Sequence, residues 1–263
     1  MEKSVKQATT DIQDLANFLV DYTTVLMGTG VHTSRADRNI RRIAEAYGYE
    51  VNMHIFSKNI SLSLTSLKDP AIRRTYVKKI RHGGFNFRII SDLSALSWNA
   101  FDHHPPLSEL RRKFEEIVSH PRMHPNLVLL LVAFANASFC RLFNGDLIAM
   151  GYVFAATLIA FFIRQRLTAI HLNHMLIWLT CAFSASAIAA TGVRYLPGDT
   201  PEVALATSVL FLIPGVPMIN SVIDILEGYV LMGVSRAINA MLLIISIAVG
   251  LSITLLIFGY NTL

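Results

Sequence analysis

Charge is scarce in this chain, and most of what there is lies in one half. Only 16% of residues are charged, and 18 of the 23 Lys and Arg and 13 of the 18 Asp and Glu fall within residues 1–124, leaving five of each for 125–263. So polar a first half and so apolar a second exclude one water-soluble body and divide the chain into a polar part and a membrane part. Cysteine is almost absent: Cys140 and Cys181 both sit inside apolar segments. They read as small buried hydrophobes, and a disulfide framework is excluded. There is no P-loop, no G-x-G-x-x-G and no G-x-S-x-G. His103, His104, His120 and His124 stand beside prolines without the Cys/His spacing of a structural zinc site, and are expected in loops. No enzyme, cofactor or metal is therefore expected. The opening MEKSVKQATTDIQD holds no apolar core of signal-peptide length, so the first half is expected in the cytoplasm. A net charge of +5 then fits a basic domain beside anionic lipid better than a nucleic-acid partner.

The polar half, 1–124, is expected to be a soluble α+β domain. Leu15, Phe18, Leu19, Tyr22 and Leu26 share one face of a predicted helix at 11–27, with Asn17 and Asp21 turned away. Gly28-Thr29-Gly30 stops it. A second helix is predicted from Ser34, with Asp37 completing a near capping box. Its stripe is Ala36, Ile40, Ile43 and Tyr47. Arg35, Arg38, Arg41 and Arg42 lie opposite, either as a solvated face or as a contact for lipid headgroups or a membrane partner. The period then changes to two: Val51, Met53 and Ile55, then Ile60, Leu62 and Leu64, predict a hairpin. Further strands are predicted at 75–81 and 85–90, joined through His82-Gly83-Gly84, and helices at 92–100 and 108–119. The last carries Leu107, Leu110, Phe114 and Ile117 at helical spacing. Helices flanking a small antiparallel sheet make an α+β layer.

The membrane half, 125–263, is expected to hold five transmembrane helices near 126–143, 147–163, 174–193, 203–218 and 237–258. Crossing the hydrocarbon layer takes ~20 residues, and the second and fourth segments are at the short end. Loop charges place the N-terminus inside, with Arg164, Arg166 and Arg236 on the cytoplasmic side and Arg141 and Arg194 outside, so five crossings leave the C-terminus outside. An odd count matches one half of an inverted-repeat transporter, whose other half is a second membrane protein or another copy. Asn136, Ser138, Ser184, Ser186, Thr207 and Ser208 fall within spans, either as small packing residues or as polar contacts for a substrate. Arg141 and Asp146 bracket Asn144-Gly145 and are expected to form a local ion pair.

Residues 212–236, LIPGVPMINSVIDILEGYVLMGVSR, interrupt this pattern. Backbone freed by Pro214, Gly215 and Pro217 at membrane depth is tolerated only where protein or a water-filled cavity surrounds it, and broken segments of this kind point to a transporter's binding site. Asn220 and Asp224 follow at i, i+4, which puts both on one helix face. One offers a donor and an acceptor, the other a carboxyl that binds or carries a proton. Asp224 is read as functional, against a structural cap or interfacial anchor. Gly228 completes the frame, and Glu227 and Arg236 are secondary candidates with Asn136 and Ser184.

The run from Pro214 to Gly228 resembles the P-G-x-P-[LM]-x-N-x-x-x-D-x-x-x-G signature of the threonine/serine exporter family. GTGVHTSRADRNIRRIAEAYGY, followed by NMHIFSKNISLSLT, resembles that family's N-terminal segment. Where the family carries Gly-Ala-Glu, this chain has Gly30-Val31-His32. The likeness covers nearly the whole chain and is closest to the split, YjjP-like members. It implies a subunit of a secondary transporter in a bacterial inner membrane, exporting threonine and serine or, in split pairs, succinate, with a smaller integral membrane protein as partner. It carries the motif positions onto Pro214, Gly215, Pro217, Asn220, Asp224 and Gly228. The competing expectation is a signalling or scaffold subunit whose cytoplasmic domain binds a partner. An intramembrane enzyme lacks any nucleophile–base constellation in the spans.

Overall fold

The computed structural model describes residues 11–81, 83–195 and 198–259. In chain order these form α1 (Ile12–Gly28), α2 (Thr33–Ala46), β1 (Tyr49–Ile55), β2 (Asn59–Ser66), β3 (Arg73–Lys79), α3 (Phe87–His103), α4 (Leu107–Ser119), α5 (Pro125–Leu142), α6 (Leu147–Ala169), α7 (His174–Tyr195), α8 (Pro201–Thr207), a 3-10 turn (Leu210–Leu212), α9 (Gly215–Leu226) and α10 (Val230–Phe258). They group into two units. One comprises Met1–Pro121 with Pro217–Ala237, the other Arg122–Val216 with Ile238–Leu263.

The first unit is built around α1. Asp11 caps it by accepting from the Gln13 N–H, and Leu15, Phe18, Leu19, Tyr22 and Leu26 are fully buried along it. Thr23 and Thr24, also buried, return their hydroxyls to the carbonyls of Leu19 and Val20. The Tyr22 hydroxyl donates to the Leu93 carbonyl at 2.7 Å, tying α1 to α3. Three antiparallel strands lie in the order β1-β2-β3, with Ile55 opposite Ile60 and Val51 opposite Leu64. Ile60, Leu62 and Leu64 are enclosed while Ser61, Ser63 and Thr65 point the other way, as a half-buried strand requires. The strand predicted at 85–90 is not formed. Asn86 accepts from the Ile89 N–H and starts α3 at Phe87, so a cap decides what two flanking phenylalanines left ambiguous; His82, in the predicted connection, lies outside the described residues. The cap of α2 also differs from expectation. His32 fills it, accepting from the Arg35 N–H through Nδ1, and Asp37 pairs with Arg41 at 2.6 Å instead of reaching back.

The second unit buries small residues: Ala133, Ala137, Ala149, Ala156, Ala160, Ala182, Ala185 and Ala189 are nearly or wholly enclosed. Gly250 of α10 packs so closely on α7 that a β-carbon there would stand 2.6 Å from the Leu179 carbonyl. Close backbone approach through small residues is how helices associate where lipid removes the hydrophobic drive. The helices α5, α6, α7 and α10 are each long and apolar enough to cross a membrane. Arg141 and Asp146 do not pair. Arg141 donates to the Gly145 carbonyl at 3.1 Å, and Asp146 caps α6 by accepting from the Ala149 N–H at 2.6 Å.

The fourth apolar segment, expected near 203–218 with its backbone freed at Pro214, Gly215 and Pro217, is broken. Pro201–Leu212 and Gly215–Leu226 are long and apolar enough for a crossing only together, and they are bent by 59°. Pro214 has no N–H to give the Leu210 carbonyl and cannot extend a helix through its ring. The chain tightens first: Leu212 N–H donates to Val209 O at 3.0 Å and Ile213 N–H to Leu210 O at 3.1 Å. Two side chains then collect carbonyls near the break. Trp178 Nε1 donates to Leu212 O at 2.9 Å, and Asn136 Nδ2 donates to Thr207 O at 3.2 Å. The fifth apolar helix, expected from 237, begins at Val230 and includes Arg236.

Candidate functional site

Two close approaches shape the turn between α1 and α2. A β-carbon on Gly28 would run into the Arg81 carbonyl, and one on Gly30 into the Phe85 ring, and Gly30 has φ of +85°. The Gly83 N–H donates to Gly28 O at 3.0 Å and the Asn86 N–H to Thr29 O at 3.2 Å. Held on that side, the turn presents the carbonyls of Gly30 and Val31 and the N–H of Thr33 to α9 and α10.

Gly215 opens α9 with Pro217 in its first turn, where a missing N–H costs nothing. Gly228, at φ of +88°, ends it in a left-handed cap: Tyr229 N–H donates to Asp224 O and Gly228 N–H to Ile225 O. The cap turns the chain into α10. There Gly233 lets the two helices cross closely, since a β-carbon would stand 2.8 Å from the Ser221 carbonyl. The Ser221 hydroxyl donates to Gly233 O at 2.9 Å.

On this hairpin Asn220 and Asp224 face the same way, as their spacing predicts, and both are buried while Ile219 and Val222 are exposed. Asn220 Nδ2 donates to Gly30 O at 2.8 Å. Asp224, fully enclosed, accepts from Thr33 N at 2.7 Å and from Thr33 Oγ1 at 3.0 Å. Arg236 completes the group: Nη2 donates to Val31 O at 2.7 Å, and Nη1 stands 3.1 Å from Asp224 Oδ2. That last contact is ionic without the alignment of a hydrogen bond. Each partner of Asp224 is a donor, so both oxygens act as acceptors at the first N–H of α2. A helix N-terminus favours an anion there.

A second, more exposed layer surrounds this pair. Arg38 Nη1 contacts Glu227 Oε2 at 3.2 Å. The Ser34 hydroxyl, then Arg38 and His32, hold the Glu227 carboxyl below the usual range. Burial, and then the Asp37 carboxylate, push the Tyr229 phenol up to about 12. Burial also pushes the His32 imidazole below its ordinary value, outweighing Glu227 and Asp224 nearby. The arginine face of α2 is thus engaged: Arg35 Nε donates to Ser94 Oγ at 3.0 Å, and Arg42 donates to Ser97 Oγ at 2.7 Å and stacks 3.5 Å from the Trp98 ring centre.

The structure therefore brings together Asn220, Asp224, Glu227, Gly228 and Arg236 within the first unit. Pro214 and Gly215 belong to the second unit, as do Asn136 and Ser184; Ser184 returns its hydroxyl to Thr180 O on its own helix. Thr33 and the carbonyls of Gly30 and Val31 escape sequence reasoning, because they meet Asp224, Asn220 and Arg236 across about 190–205 residues of chain. The only sequence signal for them is the paired glycines. Among the described residues no three His, Cys, Asp or Glu converge as a metal site. His104 and His124 serve the backbone: the first ends α3 at φ of +45°, and the second caps α5.

The model of the family described as "Putative threonine/serine exporter" matches residues 17–258. Among curated proteins the chain is similar to "Probable succinate transporter subunit YjjP" of Escherichia coli K12, at 31% identity over 237 residues covering 89% of this chain and 91% of that protein. It is also similar to the protein of the same description from Klebsiella aerogenes, at 28% identity, covering 89% of this chain and 90% of that one. No solved structure matches. A signature built on Pro214, Asn220, Asp224 and Gly228, four to five apolar candidate spans and a family match across nearly the whole length agree: this chain belongs to the threonine/serine exporter family of membrane transporters.

Proposed function

We propose that this protein is one subunit of a two-component secondary transporter that exports small carboxylate-bearing metabolites, with Asn220 and Asp224 at its working site. The observation that carries the reading is the enclosure of Asp224 between Thr33 and Arg236. Those donors form a cradle for a carboxylate, and in this conformation the chain's own carboxylate fills it. Protonation of Asp224 would weaken its hold on Thr33 and Arg236 and release the cradle to a substrate carboxylate; loss of the proton would return Asp224 and expel the substrate. Asn220, fixed on the Gly30 carbonyl, orients the same turn. The cycle links export to proton movement.

A cationic cradle supports an acid such as succinate, as in the relatives' description, and equally the carboxylate end of threonine or serine, the family's name substrates. In this reading 1–124 is a cytoplasmic domain and 125–263 crosses an inner membrane five times, the bent pair counting as one crossing. The N-terminus lies inside and the C-terminus outside, and a smaller membrane protein supplies the inverted second half. The test is Asp224→Asn in cells loaded with succinate or with threonine. Export should fall to background while the protein persists in the membrane; export at the parental rate would remove Asp224 from the mechanism.

A further inference from the structure

Arg164 lies in the last turns of α6, at the end of the second unit where α7 begins. The side chain is half-buried, and its guanidinium carbon stands 4.4 Å from the Trp178 ring centre and 5.2 Å from that of Phe161. Both rings are buried. His174 adds a third ring, 4.0 Å from Trp178. Aromatic faces attract the cation. Yet among the described residues no oxygen accepts from its N–H groups and no carboxylate pairs with it. Arg166, exposed, is likewise without an anion there: its contact is the exposed Phe162 ring, at 4.9 Å.

The second unit has no carboxylate to offer at this end. Its acidic side chains are Asp146, Asp199 and Glu202. Asp146 caps the start of α6 and accepts from the Asp199 N–H, and Glu202 stands in the first turn of α8. From Asp146 to Arg164 along α6 is about 27 Å at 1.5 Å per residue. A cation taken partly out of water without an anion is costly, so its partner comes from outside the unit. The surroundings decide which anion fits. Phe162 on the helix of Arg164 and Leu176 on the helix of Trp178 are exposed and apolar, so an anionic head here lies beside a surface for hydrocarbon. A guanidinium fork matches phosphate oxygens, and basic pockets between membrane helices receive anionic headgroups. We propose that Arg164, seated between Trp178 and Phe161, binds the phosphate of an anionic phospholipid, with Arg166 strengthening the local positive potential. A free phosphate offers the same oxygens and no chain for Phe162 and Leu176. Placing the site in the cytoplasmic leaflet rests on the orientation proposed above; the binding itself does not.

Trp178 reports on this site directly, and with Trp98→Phe it becomes the sole tryptophan of the chain. The full-length Trp98→Phe protein is reconstituted in vesicles of phosphatidylcholine with phosphatidylglycerol, one lipid or the other carrying bromine on its acyl chains. Bromine quenches a tryptophan that it approaches. Brominated phosphatidylglycerol should quench Trp178 beyond its mole fraction, an enrichment of about fivefold for the attraction of one arginine. Arg164→Gln should bring that enrichment close to one, and Arg166→Gln should lower it by less. Arg164→Lys keeps the charge without the fork, guards against a variant that fails to fold, and should fall between parent and Arg164→Gln. Equal quenching by the two brominated lipids, or an enrichment unchanged in both Arg164 variants, would overturn the site. Loss of the enrichment when inorganic phosphate is added at constant ionic strength would overturn the lipid as its occupant, in favour of a soluble anion.

Discussion

In the first unit Phe18, Tyr22 and Leu62 are enclosed, whereas the second encloses many small residues, among them Ala133, Ala156, Ala182 and Ala185, and Phe134, Phe162 and Leu256 face outward. Water drives large apolar groups together, and lipid gives them no such reason. The same contrast governs buried polar groups. The first unit closes its α1–α2 turn with charge, through Asp224 and Arg236, while the second closes its broken helix with neutral donors, Trp178 and Asn136. In the proposed reading the buried charge pair keeps the option of exchanging a proton or a substrate. A neutral indole on a carbonyl holds backbone in place and has nothing to exchange.

The largest test of that contrast is to break the charged closure. Arg236→Met leaves Asp224 enclosed without its cation, a change that costs about 3–5 kcal/mol in buried pairs. A marked fall in thermal stability of the solubilised protein is expected. Replacing both partners, Asp224→Leu with Arg236→Met, should recover most of that loss, since no charge is then left alone, yet should restore no export. A double variant that exports would mean that the pair holds the hairpin and nothing more. A single variant as stable as the parent would mean that the pair is solvated and the comparison with the second unit false.

The neutral closure should yield less. Trp178→Phe preserves a ring beside Arg164, which lies 4.4 Å from the Trp178 ring centre, and deletes the donor to Leu212 O. Leaving one carbonyl bare costs roughly 1–3 kcal/mol. A lower melting temperature is expected. An unchanged melt would show that the break is not held from α7.

Much of this arrangement was legible in the residues because its causes are local. The period-two alternation of Ile60, Leu62 and Leu64 decides which face of β2 is enclosed, and the i, i+4 spacing of Asn220 and Asp224 decides that they share a face. Pro214 breaks the helix for reasons carried in its own ring. The pattern misleads where a single cap overrules it. Asn86 turns the apolar 85–90 into a helix start, and Gly228 resets the helix so that α10 begins at Val230. Gly233 looks like a weakness in a helix until the Ser221 carbonyl is found beside it. What no spacing reveals is the partner of Asp224, because Thr33 is 191 residues away. The arginines of α2 were equally ambiguous, since Ser94, Ser97 and Glu227 reach them only through the tertiary fold.

The smallest effect concerns the residue that holds the N-terminus of α2 beside Asp224. His32 is an unusual cap: its Nδ1 accepts from Arg35 N at 3.4 Å and lies 2.8 Å from Ser34 Oγ. Protonation removes the lone pair that does this. Burial places the folded-state pKa below the ordinary 6.5, so the folded protein binds its proton less readily than the unfolded chain. The cap's contribution is therefore complete above the unfolded value and fades as pH falls through the folded one. Glu227 and Asp224 face the ring as anions and Arg38 and Arg35 as cations, and the net shift is still downward. His32→Asn keeps an acceptor of the best capping type and does not titrate. Stability measured from about pH 7.5 down to about pH 5 should fall in the parent by less than about 1 kcal/mol from this source, and the variant should lack that component. Matching acid profiles for the two would remove His32 as the source, since Glu227, which Ser34 and Arg38 hold low, responds only at more acid pH.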